Sequence, residues 1–143
     1  MYKNFNVLQS RRGDYMVNKT DAIEIITWAE ENEINIWIDG GWGVDALLKE
    51  ETRVHNDIDL FVEECKGEKF ISILKEKGFN EIVEPYTTES HTVWKDIKDR
   101  IIDLHIFKFN ELGYIVFEGE EYPASVFSGV GEIGGKEVRC IDA

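Results

Sequence analysis

"IWIDGGWGVDALLKEETRVHNDIDLF", residues 36–61, gathers Asp39, Asp45, Asp57 and Asp59 around a Gly-Gly pair. Neighbouring carboxylates repel one another and glycine weakens regular structure, so this density needs a cause. "INIWID" (34–39) reads as a strand that Gly40-Gly41 ends sharply, and "WGVDALLKE" then offers Trp42, Ala46 and Leu47 to a short helix. "DIDLFVE" (57–63) alternates as a second strand. Residues i and i+2 of a strand share a face, so Asp57 and Asp59 stand side by side while Ile58 and Leu60 turn into the core. Asp103, in "RIIDLHIF" with apolar residues on both sides, can add a third oxygen ligand from an adjacent strand. Oxygen-only sites of this kind suit Mg²⁺, which commonly joins carboxylates to a nucleotide's phosphates. Gly40-Gly41 fits the same chemistry, because glycine lets a backbone approach phosphate closely and the following helix N-terminus offers free N–H groups.

Outward from this stretch, Asn18 or Thr20 with Asp21 opens a helix that runs to about Glu33, with Ala22, Ile25, Ile26 and Ala29 at helical spacing. "KGEKFISILKEK" (66–77) is a further helix with Gly78 as its cap, and "FNEIVE" (79–84) a strand. "HTVWKDI" and "RIIDLHIF" flank the polar turn Lys98-Asp99 as an antiparallel hairpin, and "YIVFEG" and "GGKEVRCI" supply more β structure. The order reads as α+β, a mixed sheet flanked by helices. Residues 1–18 show no clean periodicity and are expected to be a poorly ordered lead-in to a single domain over 19–143.

Composition narrows the chemistry. The 143 residues are 43% hydrophobic, enough for one ordinary domain, and carry 29 acidic against 16 basic residues for a net charge of −13. Such a charge argues against nucleic acid as the main partner and favours a metal or a cationic small molecule. No run of about 18 apolar residues and no signal-peptide core is present, so neither membrane insertion nor secretion is expected. Cys65 and Cys140 form no disulfide framework, and the cytoplasm is the expected compartment.

The linked pattern resembles the nucleotidyltransferase superfamily: a Gly-Gly turn opening a helix, an Asp-x-Asp strand, and a carboxylate on a later strand. Over about residues 22–141 it is similar to small antibiotic-modifying members, the lincosamide nucleotidyltransferases and related aminoglycoside adenylyltransferases, through "WIDGGWGVDALL", "TRVHNDIDLF" and "IDLHIF". The resemblance implies a minimal, polymerase-beta-like nucleotidyltransferase domain. In it Asp57, Asp59 and Asp103 are the catalytic and metal-binding residues, with Asp103 as base, Gly40 and Gly41 contact the triphosphate, and Arg53 and His55 face phosphate. It further implies Mg²⁺, ATP as co-substrate, and transfer of AMP to a hydroxyl of a small cationic acceptor such as a lincosamide. The alternatives are an aminoglycoside or protein acceptor, or a non-catalytic, antitoxin-like or regulatory relative that binds nucleotide or a partner. Family members usually continue beyond the strand matching "KEVRCI" into a helical tail, whereas this sequence ends at Ala143. A homodimer is therefore expected, favoured by apolar surface on "YIVFEG" and "KEVRCI" and placing one copy over the other's carboxylates.

The bland reading prevails at several positions. Asp39 and Asp45 are expected to cap or solvate the short helix, His91 to be structural, and Trp37, Trp42 and Trp94 to be core or wall. His105 shares a strand face with Asp103 and is equally a cleft residue or an ordinary hydrogen-bonded histidine.

Overall fold

The alternation in "DIDLFVE" is realised: Ile58, Leu60 and Val62 are buried, while Asp57, Asp59 and Phe61 lie on the other face. The computed structural model of the chain describes residues 15–142. In chain order it runs α1 (Lys19–Glu31), β1 (Ile36–Asp39), α2 (Gly40–Leu48), β2 (Asp57–Glu63), α3 (Glu64–Glu76), β3 (Asn80–Ile82), β4 (His91–Lys95) and β5 (Ile101–Phe109). The hairpin β6 (Ile115–Phe117) and β7 (Glu120–Tyr122) follows, then a 3₁₀ turn (Ala124–Phe127), β8 (Gly129–Ile133) and β9 (Lys136–Cys140).

The strands form one mixed sheet in the order β3-β4-β5-β2-β1-β9-β8, with β6 and β7 attached to the far end of β5. β2 runs parallel to β5 and antiparallel to β1, so the three carboxylate-bearing strands are neighbours. Local chemistry explains the element ends. Asn18 and Asp21 exchange side-chain and backbone hydrogen bonds of 2.8 and 3.0 Å in a capping box that starts α1. Gly134 and Gly135, at φ +57° and +83°, make the tight turn between β8 and β9, where residues with a Cβ would be strained.

The helices cover one face. Ile25 and Ala29 of α1, Ala46 of α2, and Phe70 and Leu74 of α3 pack with Ile38, Ile58, Leu60 and Leu104 in the principal core. The opposite face has a smaller cluster of Trp37, Phe107 and Ile115, joined by Phe61, Phe117 and Phe127. Among the described residues, the β6–β7 hairpin and the 3₁₀ turn roof this face, and the carboxylates lie beside that roof.

Two expectations need correction. Residues 1–14 of the expected lead-in lie outside the described residues, but Tyr15 and Val17 are buried. Val17 N–H donates to His55 O at 3.0 Å and Trp42 Nε1–H to Val17 O at 3.0 Å, which fixes this stretch against α2 and the loop before β2. The apolar surface expected on "YIVFEG" and "KEVRCI" is largely covered within the chain: Ile115, Val138 and Cys140 are all buried. No helix among the described residues is long and apolar enough to cross a membrane.

Candidate active site

The register of three strands aligns three carboxylates. Asp39 of β1 pairs with Asp59 of β2, and Asp59 with Asp103 of β5. Asp57 shares the face one pleat away, and one ligand atom from each of Asp57, Asp59 and Asp103 lies within 4.8 Å of the others. Three convergent hard oxygens form a donor set that fits a divalent ion such as Mg²⁺. The structure thus brings together the three carboxylates singled out in the sequence, and adds Asp39 to their row. Asp39 stands at the N-cap position of α2 but makes no side-chain cap bond, so the capping role expected for it is not realised.

Asp103 is 8% exposed, and His91 Nε2–H donates to its Oδ1 at 2.6 Å. His91, expected to be structural, stands at the site itself, because β4 pairs it directly with His105 on the carboxylate face. His105 lines the cleft and is hydrogen-bonded as well: its Nδ1–H donates to Leu60 O at 3.2 Å, and its ring stacks between His91 at 4.4 Å and Phe61 at 4.6 Å. Burial, reinforced by His91, holds His105 below the usual imidazole value despite the nearby Asp103.

Gly40 and Gly41 form the first turn of α2 itself rather than a turn ahead of it. Gly40 has φ +64°, and a Cβ there would collide with Asp59 Oδ2. Gly41 has no positive φ; its requirement is steric, since a Cβ would run into His55 Nδ1 and come within 2.9 Å of Arg53 Nη2. The first turn of α2, which Asp39 does not cap, thus stands beside the carboxylate row; helix starts of this kind favour anions such as phosphate. Replacing Gly41 by Val is expected to weaken MgATP binding at least about tenfold, roughly 1.4 kcal/mol, and also to lower the melting temperature, because its Cβ displaces the buried His55 ring. Calorimetry giving unchanged affinity would remove the phosphate role from this turn.

Beneath the turn lies a buried polar support made of Asp45, expected to cap or solvate the helix, and His55, expected to face phosphate. Asp45 and His55 are 2% and 3% exposed, with His55 Nε2–H donating to Asp45 Oδ2 at 2.6 Å. Asp45 also accepts from Thr52 N–H at 3.0 Å and Thr52 Oγ1–H at 2.6 Å. His55 packs on Trp42 at 4.7 Å, so it backs the glycine turn instead of facing phosphate directly. Arg53 is exposed, donates from Nη1 to Val54 O at 3.2 Å, and keeps its guanidinium at the turn. The expected core roles of Trp37, Trp42 and Trp94 agree with their burial.

Burial opposes ionisation of Asp45, yet the bonds from Thr52 and His55 outweigh it and hold the carboxyl below its usual range. A lowered folded value gives a stabilisation that is present above the unfolded carboxylate value of about 3.9 and is lost as pH falls through the folded value. Asp45→Asn is expected to cost about 1–3 kcal/mol at neutral pH. In denaturant melts the gap from wild type should narrow below about pH 4; a gap that stays constant would show that this ionisation is not linked to folding.

Comparisons with known proteins place the chain in a family. The family model for aminoglycoside-2''-adenylyltransferase matches residues 21–143. A lincosamide resistance protein of Staphylococcus haemolyticus is 29% identical over 111 residues, covering 78% of this chain and 68% of that protein. A 2''-aminoglycoside nucleotidyltransferase of Escherichia coli is 30% identical over 120 residues, covering 82% of this chain; the chain spans 63% of that protein's length. Among solved structures, the lincosamide antibiotic adenylyltransferase LnuA with lincomycin bound superposes with a TM-score of 0.77 at 26% identity, over 89% of this chain and 82% of that one.

Proposed function

We propose that this chain, which belongs to the aminoglycoside-2''-adenylyltransferase family, transfers AMP from ATP to a hydroxyl of a small cationic antibiotic, with a lincosamide as the leading acceptor. The observation that carries the reading is the convergence of Asp57, Asp59 and Asp103 beside the glycine start of α2. The lincosamide and aminoglycoside activities named for its relatives support it.

Asp57, Asp59 and Asp103 would hold the divalent ion, taken here as Mg²⁺. Bound there, it would supply positive charge to the triphosphate and to the leaving pyrophosphate. The first-turn N–H groups of α2 receive phosphate oxygens, with Arg53 adding charge at their edge. The acceptor oxygen attacks the α-phosphorus, the bond to the bridging oxygen breaks, and pyrophosphate carries away the bond's electron pair. Asp103 takes the hydroxyl proton. His91 bonds to its Oδ1 at 2.6 Å and so fixes the carboxylate's rotamer beside Asp57 and Asp59.

Incubation of the chain with ATP, Mg²⁺ and lincomycin, followed by mass spectrometry, tests this. The expected product is lincomycin heavier by one AMP residue, formed with one pyrophosphate. ATP bound but never turned over, with lincosamides and aminoglycosides alike, would support a nucleotide-binding protein instead.

A further inference from the structure

The carboxylate face continues into a cavity that the phosphate chemistry leaves unused. It has a volume of about 310 Å³ and is walled by Phe61, Ile115, Phe117, Val126 and Phe127, with Asp39 at one end. That volume reaches the lower range of small-molecule sites. Its walls are held in place: Phe61 lies 5.4 Å from Phe117 and 5.6 Å from Phe127, and Phe127 stacks on Trp37 at 4.8 Å. Trp37 Nε1–H donates to Phe127 O at 3.1 Å, tying the 3₁₀ turn down.

Its position follows from strand register. Phe61 is one pleat from Asp59 and His105 one pleat from Asp103, a step of about 7 Å along each strand. Asp39 belongs to both places, since it pairs with Asp59 and also lines the cavity. A molecule lying in the cavity therefore reaches the carboxylate row directly. Among the described residues that line it, Asp39 is the single carboxylate. The remaining lining is mostly aromatic or aliphatic, with the hydrogen-bonded His105 and the half-exposed Tyr122 as its polar edges.

We infer that this cavity seats the hydrocarbon part of a singly charged, amphiphilic acceptor whose ammonium pairs with Asp39, and that it disfavours polycationic aminosugars; the assignment rests on the transfer reading above. An ammonium moved from water against hydrocarbon without a partner is strongly disfavoured. One carboxylate can compensate one such group. Asp57, Asp59 and Asp103 cannot serve further ammonium groups once they hold the ion and its nucleotide. A polycation would leave most of its charges desolvated with no carboxylate partner, a loss that the weaker attraction of ring faces does not make up, whereas a monocation with an alkyl segment matches the lining group for group.

Calorimetry on the full chain tests this with three probes: lincomycin, which has one basic amine and an alkyl chain, the polycationic tobramycin, and MgATP. Lincomycin is expected to bind at least tenfold tighter than tobramycin. Val126→Trp, which fills the cavity, should weaken lincomycin at least tenfold while leaving the affinity for MgATP and the melting temperature unchanged. Phe117→Ala, at a half-buried position of β6, is a second arm that removes one wall and should weaken lincomycin severalfold. Unchanged lincomycin affinity in both variants overturns the assignment. So does a loss of MgATP instead of lincomycin, which would make the cavity the nucleobase site, and so does tobramycin binding as tightly as lincomycin. If lincomycin binds in a Val126-sensitive manner but no AMP is transferred, the reaction falls and the cavity assignment stands. Transfer to lincomycin by Val126→Trp with wild-type KM and kcat overturns the cavity and leaves the reaction standing.

Discussion

Asp59→Asn is expected to abolish AMP transfer while leaving the fold intact. Asp59 is the middle carboxylate of the row, paired in register with Asp39 on one side and Asp103 on the other, with Gly40 against its Oδ2. Asparagine keeps the shape and one carbonyl oxygen but removes the charge that a hard divalent ion requires. Loss of metal-assisted stabilisation of the transition state is worth several kcal/mol; about 4 kcal/mol corresponds to roughly a thousandfold in rate. Removing one of several crowded negative charges should leave the melting temperature unchanged or raise it, which separates a chemical defect from a folding one. Single-turnover transfer at saturating ATP, with Mg²⁺ binding followed in parallel by calorimetry, provides the check. Wild-type turnover by Asp59→Asn would mean that the carboxylates do not hold a catalytic ion.

Sequence and structure agree most closely where one-dimensional spacing decides the outcome. The two-residue period of β2 puts Asp57 and Asp59 on one face whatever the rest of the chain does, and Asp103 follows once its strand is a neighbour. His91 was lost for the same reason in reverse. A two-residue turn at Lys98-Asp99 would pair Trp94 with Asp103 and send His91 to the other face. The actual loop spans 96–100, with Asp99 at φ +60°, so Val93 pairs with Asp103 and His91 meets His105. A one-residue shift in register thus decides whether Asp103 has an imidazole partner. The Asp45–His55 pair is not legible for another reason: Asp45 alone reads as a helix cap and His55 alone as a phosphate contact, and their 2.6 Å bond beneath Gly41 is what accounts for burying both. β7 and β8 escaped because Glu120–Tyr122 is short and exposed, and Gly129–Ile133 holds two glycines where β propensity is weakest. The aromatic roof over the carboxylate face joins residues far apart in sequence, Phe61 to Phe127, and no local period announces it.

Arg100→Ala should produce the largest loss of stability of any single change considered, about 3–5 kcal/mol. Arg100 is 4% exposed although it carries a full charge. Its Nε–H and Nη2–H donate to Asp96 Oδ2 at 2.8 and 2.7 Å, and its Nη1–H donates to Glu24 at 3.0 Å and Asp21 at 3.4 Å. The guanidinium also lies 5.6 Å from both the Trp28 and Phe79 rings. Burial works against its charge, but Asp96 and Glu24 more than offset this and keep it protonated. Truncation would leave Asp96, itself 4% exposed, as a buried carboxylate held, among the described residues, by the backbone N–H groups of Lys98 and residue 100. For a domain of this size the loss corresponds to a melting temperature lower by about 10–15 °C. The double change Arg100→Met with Asp96→Asn removes both charges and should recover part of that loss, because no buried charge remains unpaired. The effect should extend to the site, since this cluster fixes the loop that sets the register of β4 against β5. Below its melting temperature, the Arg100→Ala protein should therefore show weakened transfer, and the His91 ring signal should lose the shift it owes to the Asp103 contact. A melting temperature within a degree or two of wild type would show that Asp96 and its backbone donors hold this loop unaided, and the register of His91 on Asp103 would then depend on the strands alone.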